Sequence, residues 1–501
     1  MAPPNILLVM ADQLAPHFTG TYGHPLVRTP SLDALAERGT RFDAAYCPSP
    51  LCAPSRFSML AGRPPTEIGA WDNAAEFPAS VPTFVHHLRL AGYRTVLSGK
   101  MHFVGPDQLH GFEERLTTDI YPADFAWTPN WDAAGERIGK WYHNMDSLAE
   151  AGQALATYQI DYDTEVGNAA VRQVYDLARH GDGRPFLLVA SFIHPLDPYV
   201  ARPEWWDLYD HDAIDLPEPL PEFFEPHVER IRRGIEADSV GYSEAQCRNA
   251  RHGYYANTSY FDSWLGRLVG ALAEVGELDR TVVIATSDHG DMLGDRGTWF
   301  KMCFYERSAR VPLVVAGPDV ANRSVGNACS LLDLFPTLLD VAGAGAEPAV
   351  PLAGRSLWPS ATGGEDPVDE TIGEYTAEMT SQPMFMIRRG RHKYIACETD
   401  PPLLYDVVAD PLERTNLATD PAHAALAAGF AAEVAGRWDA AVIREKVLAS
   451  QRARRLLHEA AGTGGLHSWD YAPLRDAANE YVRNHLDWAE AGPRSRFPPV
   501  G

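Results

Sequence analysis

A chain of 501 residues, 45% apolar, 10% aromatic and 22% charged, has the composition of a globular protein with a large core and room for two or three domains. Its 43 Lys and Arg against 67 Asp and Glu leave a net charge of −24, which excludes the basic surface that a nucleic-acid partner needs. No run approaches the ~20 apolar residues of a membrane-spanning helix, so no membrane partner is expected.

Read in chain order, short apolar runs alternate with amphipathic stretches. "NILLVM" (5–10) opens the chain, and "SLDALAERG" (31–39) and "VPTFVHHLRLAGY" (81–93) have helical spacing. "TVLS" (95–98) and "FLLVASF" (186–192) are again strand-like, "SYFDSWLGRLVGALAEVG" (259–276) is helical, and "TVVIATS" (281–287) and "PLVVAG" (312–317) close the series. Five apolar runs bounded by helical patterns predict buried parallel strands and an α/β domain over 1–370. The texture then changes to a hairpin-like "MFMIRRGRHKYIAC" (384–397), a strand "PLLYDV" (402–407) and an Ala-rich helix (422–441), which predict a smaller α+β domain over 371–450. Residues 451–501 are polar and aromatic without low complexity, and are expected to form a docked tail.

The amino-terminal "MAPPNILLVMADQ" lacks the basic n-region of a secretory signal. Six cysteines without a CxxC pair fit neither a disulfide scaffold nor a zinc ribbon, and a reducing, cytoplasmic setting is the expectation.

In an open parallel sheet, functional groups gather beyond the carboxyl ends of the strands, because helices cover both faces. Here those ends carry Asp12 and Gln13, then Lys100 and His102, then His194 and Asp197, then Asp288 and His289. Singly, an Asp after a strand is an ordinary helix cap and a loop His an ordinary polar residue. Together, carboxylates plus one imidazole make a site for Ca²⁺, Mn²⁺ or Mg²⁺, with Asp12, Asp288 and His289 as ligands and Gln13 beside them. Arg56, Lys100, His102, His194 and Lys301 would ring that metal with groups suited to a tetrahedral oxyanion, so sulfate or phosphate esters are the substrate class. Local sequence alone leaves Lys301 open between this role and an ordinary loop position.

"SPLCAPSRFSMLAGR" (49–63) sets Cys52 among prolines. A cysteine phosphatase would need its arginine six positions on, where this chain has Ser58; the arginine is Arg56, at +4. A buried structural cysteine would not account for the adjoining "PSR". "CAPSRFSMLAGR" resembles the first signature of the sulfatase family, C-x-P-S-R with a following Ala-Gly-Arg, and "GYRTVLSGKMH" (92–102) resembles the second. Within that family, "WDNAAEF", "SGKMHFVGPDQLHGFEERLTTDIYPADF", "WYHN", "HPLDPYVARPEWWDLYD", "SDHGDMLGDRG", "WFKMCF" and the tail "YVRNHLD" are similar to the choline sulfatases, over nearly the whole chain.

The resemblance implies an alkaline-phosphatase-like fold and a Cys52 oxidised to formylglycine by a dedicated generating enzyme. It implies one divalent metal on Asp12, Gln13, Cys52, Asp288 and His289, with Ca²⁺ the first expectation. Gln13 and His289 depart from the Asp and Asn common in sulfatases and are shared with phosphonate monoester hydrolases, which leaves Mn²⁺ open. Implied roles are nucleophile for Cys52, support of it by Arg56 and Asp288, sulfate binding for Lys100 and Lys301, leaving-group protonation for His194, and regeneration for His102. A choline-O-sulfate substrate needs aromatic faces and carboxylates around its quaternary ammonium. The resemblance gives Trp127, His143, Asn144 and Glu378 this place, and Asp487 as a residue the tail inserts into a neighbour within a homo-oligomer, a tetramer. Competing expectations are a phosphonate monoester or phosphodiester hydrolase, a broader alkyl or aryl sulfatase, and a non-catalytic quaternary-amine binder with an unmodified cysteine.

Overall fold

The computed structural model describes residues 3–133, 143–343, 347–465 and 468–474. Strand β1 (Asn5–Asp12) is buried along its whole length, as a strand covered by helices on both faces must be, and its Ile-Leu-Leu-Val-Met run meets that demand. It lies inside a nine-stranded sheet with β2 (Gly39–Tyr46), β3 (Arg94–Gly99), β4 (Glu114–Arg115), β5 (Phe186–Pro195), β6 (Thr281–Ser287), β7 (Arg310–Val311), β8 (Leu313–Ala316) and β9 (Arg323–Ser330). The order is β9-β2-β8-β6-β1-β5-β3-β4, with β7 paired to β2 at its side. β1 runs parallel to both neighbours, Ile6 facing Leu187 in β5 and Val282 in β6.

The run at 312–317 corrects the sequence reading: it is a strand, but β8 is antiparallel to β2 and β6. Between β6 and β8 the chain has only a one-turn α-helix, Glu306–Ala309, and no crossover helix, so it re-enters the sheet from the edge it left. Strands β2 ("GTRFDAAY") and β9 ("RSVGNACS") were not expected, because neither has a continuous apolar run. They lie toward one side of the sheet, where some positions are only half-buried.

Helix α1 (Pro30–Ala36), α2 (Cys52–Ala61), α3 (Phe84–Leu90), α4 (Tyr158–His180), α5 (Glu244–Glu274) and α6 (Leu334–Val341) surround the sheet. Thr83, Thr157 and Ser243 cap α3, α4 and α5 with their side-chain oxygens. Helix α2 has no such cap at Leu51; instead Asn73 Oδ1 accepts the Ala53 N–H at 2.9 Å, so a distant loop satisfies the helix start that carries Cys52.

A second, antiparallel sheet follows, β10 (Glu370–Tyr375), β11 (Met384–Arg389), β12 (His392–Cys397) and β13 (Asp400–Asp406), in that order. Its central hairpin turns at Gly390, whose φ of 56° suits the tight two-residue loop. Helix α7 (Ala424–Arg437) stacks Phe430 on Tyr394 at 5.5 Å, and Trp438 stacks on Phe385 at 4.6 Å. Helix α8 (Ala440–Thr463) runs unbroken through residue 450 and buries Ile443, Val447, Leu448, Gln451 and Arg454 along one face.

The two sheets are joined through a buried ion cluster. Lys393 Nζ, fully buried, lies 2.9 Å from Glu306 Oε1 and 2.6 Å from Glu413 Oε1, and Tyr46 O–H donates to Glu306 at 2.9 Å. Removing the one lysine leaves two buried carboxylates short of a cation. Lys393→Met is expected to lower stability by about 3 kcal/mol, measured as a shifted urea midpoint.

Candidate active site

The carboxyl edge of the sheet assembles the predicted residues. Asp12 ends β1, Lys100 and His102 follow β3, His194 lies near the end of β5, and Asp288 and His289 follow β6; all are 0–1% exposed. Cys52, the first residue of α2, puts Sγ 3.2 Å from His289 Nε2 and 3.9 Å from Asp12 Oδ1. One donor atom from each of Asp12, Cys52, Asp288 and His289 lies within 4.8 Å of the others.

Arg56, one helical turn after Cys52, holds the cluster in register. Its Nε donates to Asp288 Oδ2 at 2.8 Å, Nη2 to Asp12 Oδ2 at 2.9 Å, and Nη1 to Lys100 O and Ser191 Oγ at 2.8 Å each. Lys100 Nζ also donates to Asp12 Oδ2. Burial pushes the Asp12 carboxyl up, but Lys100 and Arg56 outweigh it and hold the group well below the usual carboxylate range. Burial, against the opposing field of Asp288, keeps the His289 pKa low, so its ring is neutral and free to ligate. Two carboxylates, an imidazole and the Cys52 side chain fit a divalent cation.

Gln13 lies directly behind this cluster, in the left-handed region at φ 68°. Its Nε2 donates to Asp291 Oδ2 at 2.7 Å and Asp197 Oδ1 at 3.2 Å, while Oε1 accepts from Lys301 Nζ at 2.6 Å. Two carboxylates on one side and an ammonium on the other fix which way the amide points. Burial pushes Asp291 up to about 7, and Tyr199 O–H donates to it at 2.9 Å. Lys301, which local sequence left open, is thus brought beside Gln13 at the strand end.

His194 is oriented by Asp163, whose carboxylate accepts from the backbone of Ile193 and His194 and lies 2.7 Å from His194 Nδ1. The His194 Nε2 is buried with no hydrogen-bond partner among the described residues. His102, at φ 60°, is anchored by its backbone N–H on Asp119 at 2.9 Å. Burial lowers its pKa although the neighbouring Cys52 opposes this.

Of the residues placed by resemblance, Trp127 stands edge-on to His102 at 5.9 Å and to Tyr121 at 4.9 Å, and the Tyr121 ring lies 4.3 Å from Lys100 Nζ. His143 is buried, stacked on Phe300 at 4.9 Å, with Nδ1 3.3 Å from Asp197; burial, aided by Lys301, lowers its pKa to about 4. Asn144 Oδ1 accepts the Asp146 N–H at 2.8 Å. Glu378 is 4% exposed, and neither carboxylate oxygen has a hydrogen-bond partner among the described residues. Burial and the nearby Asp72 push its pKa up to about 8, and it stands within the fields of Lys301 and Cys52. Asp487 lies outside the described residues.

The orienting acids Asp72, Asp119, Asp163 and Asp291 were not singled out from sequence: Asp72, Asp119 and Asp291 lie inside the quoted "WDNAAEF", "SGKMHFVGPDQLHGFEERLTTDIYPADF" and "SDHGD" stretches, whereas Asp163, on helix α4, has no local signal.

With this geometry in place, comparison with known proteins is direct: the chain belongs to the sulfatase family, hydrolases of sulfuric esters. The family profile described as Sulfatase matches residues 4–344, and those described as N-sulphoglucosamine sulphohydrolase, C-terminal, and Choline sulfatase enzyme C terminal match 294–437 and 445–497. A choline-sulfatase of Rhizobium meliloti (strain 1021) is 46% identical over 506 residues, covering 99% of this chain and 98% of that protein. An arylsulfatase of Clostridium perfringens is 29% identical, covering 83% of this chain and 90% of its own. The crystal structure of the phosphonate monoester hydrolase of Agrobacterium radiobacter shares the fold, with a TM-score of 0.70 at 24% identity over 89% of this chain and 96% of that one. Among the described residues no helix is long and apolar enough to cross a membrane.

Replacing Asp163 by Asn offers an N–H where His194 Nδ1 needs an acceptor and turns the ring to the wrong tautomer. Asp163→Asn is expected to lower kcat on an alkyl sulfate by about 10² to 10⁴ with KM little changed, read by steady-state kinetics.

Proposed function

We propose that this enzyme hydrolyses choline-O-sulfate to choline and inorganic sulfate. The observation that carries the reading is Glu378: a buried carboxylate with no hydrogen-bond partner among the described residues, within the electrostatic reach of Lys301 and Cys52. A site with an anion-binding ring at one end and a bare buried carboxylate at the other suits a substrate that carries a sulfate and a cation. The full-length similarity to a choline-sulfatase supports the same reading.

In this reading Asp12, Asp288, His289, Gln13 and the Cys52 side chain hold one divalent cation, Ca²⁺ before Mn²⁺ or Mg²⁺, which when bound polarises the sulfate group. Cys52 is converted by a formylglycine-generating enzyme, which gives the site a hydroxyl nucleophile in place of a thiol. Arg56 pairs with Asp12 and Asp288 and holds the nucleophile, with Asp288 assisting its deprotonation. Lys100 and Lys301 neutralise the non-bridging sulfate oxygens. His194, its Nδ1 fixed by Asp163, presents Nε2 to protonate the departing alkoxide, and His102 takes a proton from the side chain at position 52 during regeneration. Trp127 gives the quaternary ammonium an aromatic face and Glu378 a counter-charge, with His143 and Asn144 completing the pocket and Asp487 entering from a neighbour in a tetramer. The division into a catalytic domain to 370, a smaller domain to 450 and a tail belongs to this proposal, as does a cytoplasmic location, which the sparse, unpaired cysteines support.

The reading is tested by comparing kcat/KM for choline-O-sulfate with that for a phenylphosphonate monoester and an aryl sulfate. Choline-O-sulfate should lead; a large preference for the phosphonate overturns the substrate.

Glu378 adds a pH signature. With its pKa near 8 in the empty site, the group is mostly protonated at pH 7 and must ionise to pair with a cation, so affinity for choline should rise with pH and level off above about 8. Calorimetry of choline binding at pH 7 in buffers of different ionisation enthalpy should show close to one proton released, and Glu378→Gln should abolish the release.

A further inference from the structure

Helix α8 belongs to neither sheet, yet it reaches the active site through one side chain. Arg454 is 5% exposed, and its Nη1 and Nη2 donate to the two oxygens of fully buried Asp72 at 2.7 Å each. Nη1 also donates to Thr128 Oγ1 at 3.3 Å, next to Trp127 in the chain. One turn earlier on the same face, Gln451 Oε1 accepts the Trp131 N–H at 2.9 Å.

Each of these contacts leads to a different part of the site. Asn73, beside Asp72, accepts the N–H of Ala53 and so steadies the turn that carries Cys52. Trp71, on the other side, accepts through its carbonyl from Thr376 Oγ1 at 2.9 Å, two residues before Glu378. Trp131 Nε1 donates to Ala377 O at 2.8 Å, the residue adjoining Glu378. Thr128 and Trp131 flank the segment that follows Trp127. The Arg454–Asp72 fork is thus the joint at which the Cys52, Trp127 and Glu378 segments meet.

We infer that Arg454 is a positioning residue that determines specificity: from α8 it fixes the cation-binding half of the pocket, Trp127 and Glu378, relative to the sulfate-binding half. The inference rests on the choline-O-sulfate reading. The guanidinium matters in two ways. Its planar fork sets the geometry of the Asp72 loop, which a lysine could not reproduce. Its charge also offsets Asp72, the carboxylate whose field opposes ionisation of Glu378, while Lys301 favours that ionisation.

The test compares two substrates that share the sulfate and differ in the cation. In Arg454→Met, KM for choline-O-sulfate should rise about tenfold or more, while kcat/KM for 4-nitrophenyl sulfate should stay within about threefold, because a desolvated charge contact is lost only for the first. Arg454→Lys should recover part of the choline-O-sulfate KM by restoring the charge. The double variant Asp72→Asn/Arg454→Met, which leaves no unpaired buried charge and removes the Asp72 field on Glu378, guards against a misfolded single variant and should keep a smaller split of the same sign, the part that comes from the lost fork. Equal losses on both substrates, in the single and the double variant alike, mean that α8 only supports the fold, and overturn the inference alone. A wild-type enzyme that turns over 4-nitrophenyl sulfate but not choline-O-sulfate removes the substrate reading, and this inference with it.

Discussion

The site depends on one guanidinium held between two carboxylates, all three buried from solvent. Asp12 and Asp288 end neighbouring strands, and two buried negative charges so close would drive one another to protonate. Arg56 donates to both, at 2.9 and 2.8 Å, and so places a cation between them. Desolvating three charges is costly, so such a group persists only where every partner is satisfied, and Lys100, Ser191 and the Lys100 carbonyl complete it. The spacing of Cys52 and Arg56 follows from this. Residues i and i+4 share one face of a helix, so the turn that presents the cysteine also delivers the cation that organises its neighbours.

Around this centre stands a layer of acids that orient its side chains and backbone. Asp163 sets the His194 ring, Asp119 the His102 backbone, and Asp197 with Asp291 the Gln13 amide. The last pair explains a neutral amide at position 13. A carboxylate there would face Asp197 and Asp291 as a third negative charge, whereas an amide donates to both and turns its oxygen toward Lys301. Each of these acids lies within a few residues of a strand end or on a helix packed against one, so the sheet fixes the aiming groups along with the aimed.

The cation-binding half is built differently. Glu378 lies just beyond the first strand of the second sheet, Trp127 in a long loop after β4, and α8 ties both to the Asp72 loop. The half proposed to bind sulfate is thus made at the edge of the large sheet, and the half proposed to bind the cation by the early Asp72 and Trp127 loops tied to late elements, Glu378 and α8.

Apolar runs made β1, β3, β5 and β6 legible, because a strand buried on both faces needs an unbroken hydrophobic sequence. The same rule missed β2 and β9, which are half-buried and mixed in composition, and it could not give the direction of β8, since burial has no sense of polarity. Strand-end logic located Asp12, Lys100, His102, His194, Asp288 and His289, and motif resemblance added Cys52 with Arg56 and the cation-binding residues. What the sequence by itself determined was therefore which side chains the edge of a parallel sheet would offer and the class of chemistry they suit. Tertiary structure alone decided which of them meet: Arg56 with Asp288 across 232 positions, Lys301 with Gln13 across 288, and Arg454 with Asp72 across 382. Local patterns report how deeply a residue is buried, whereas the partner of a buried charge is chosen by packing among distant segments, which no periodicity records.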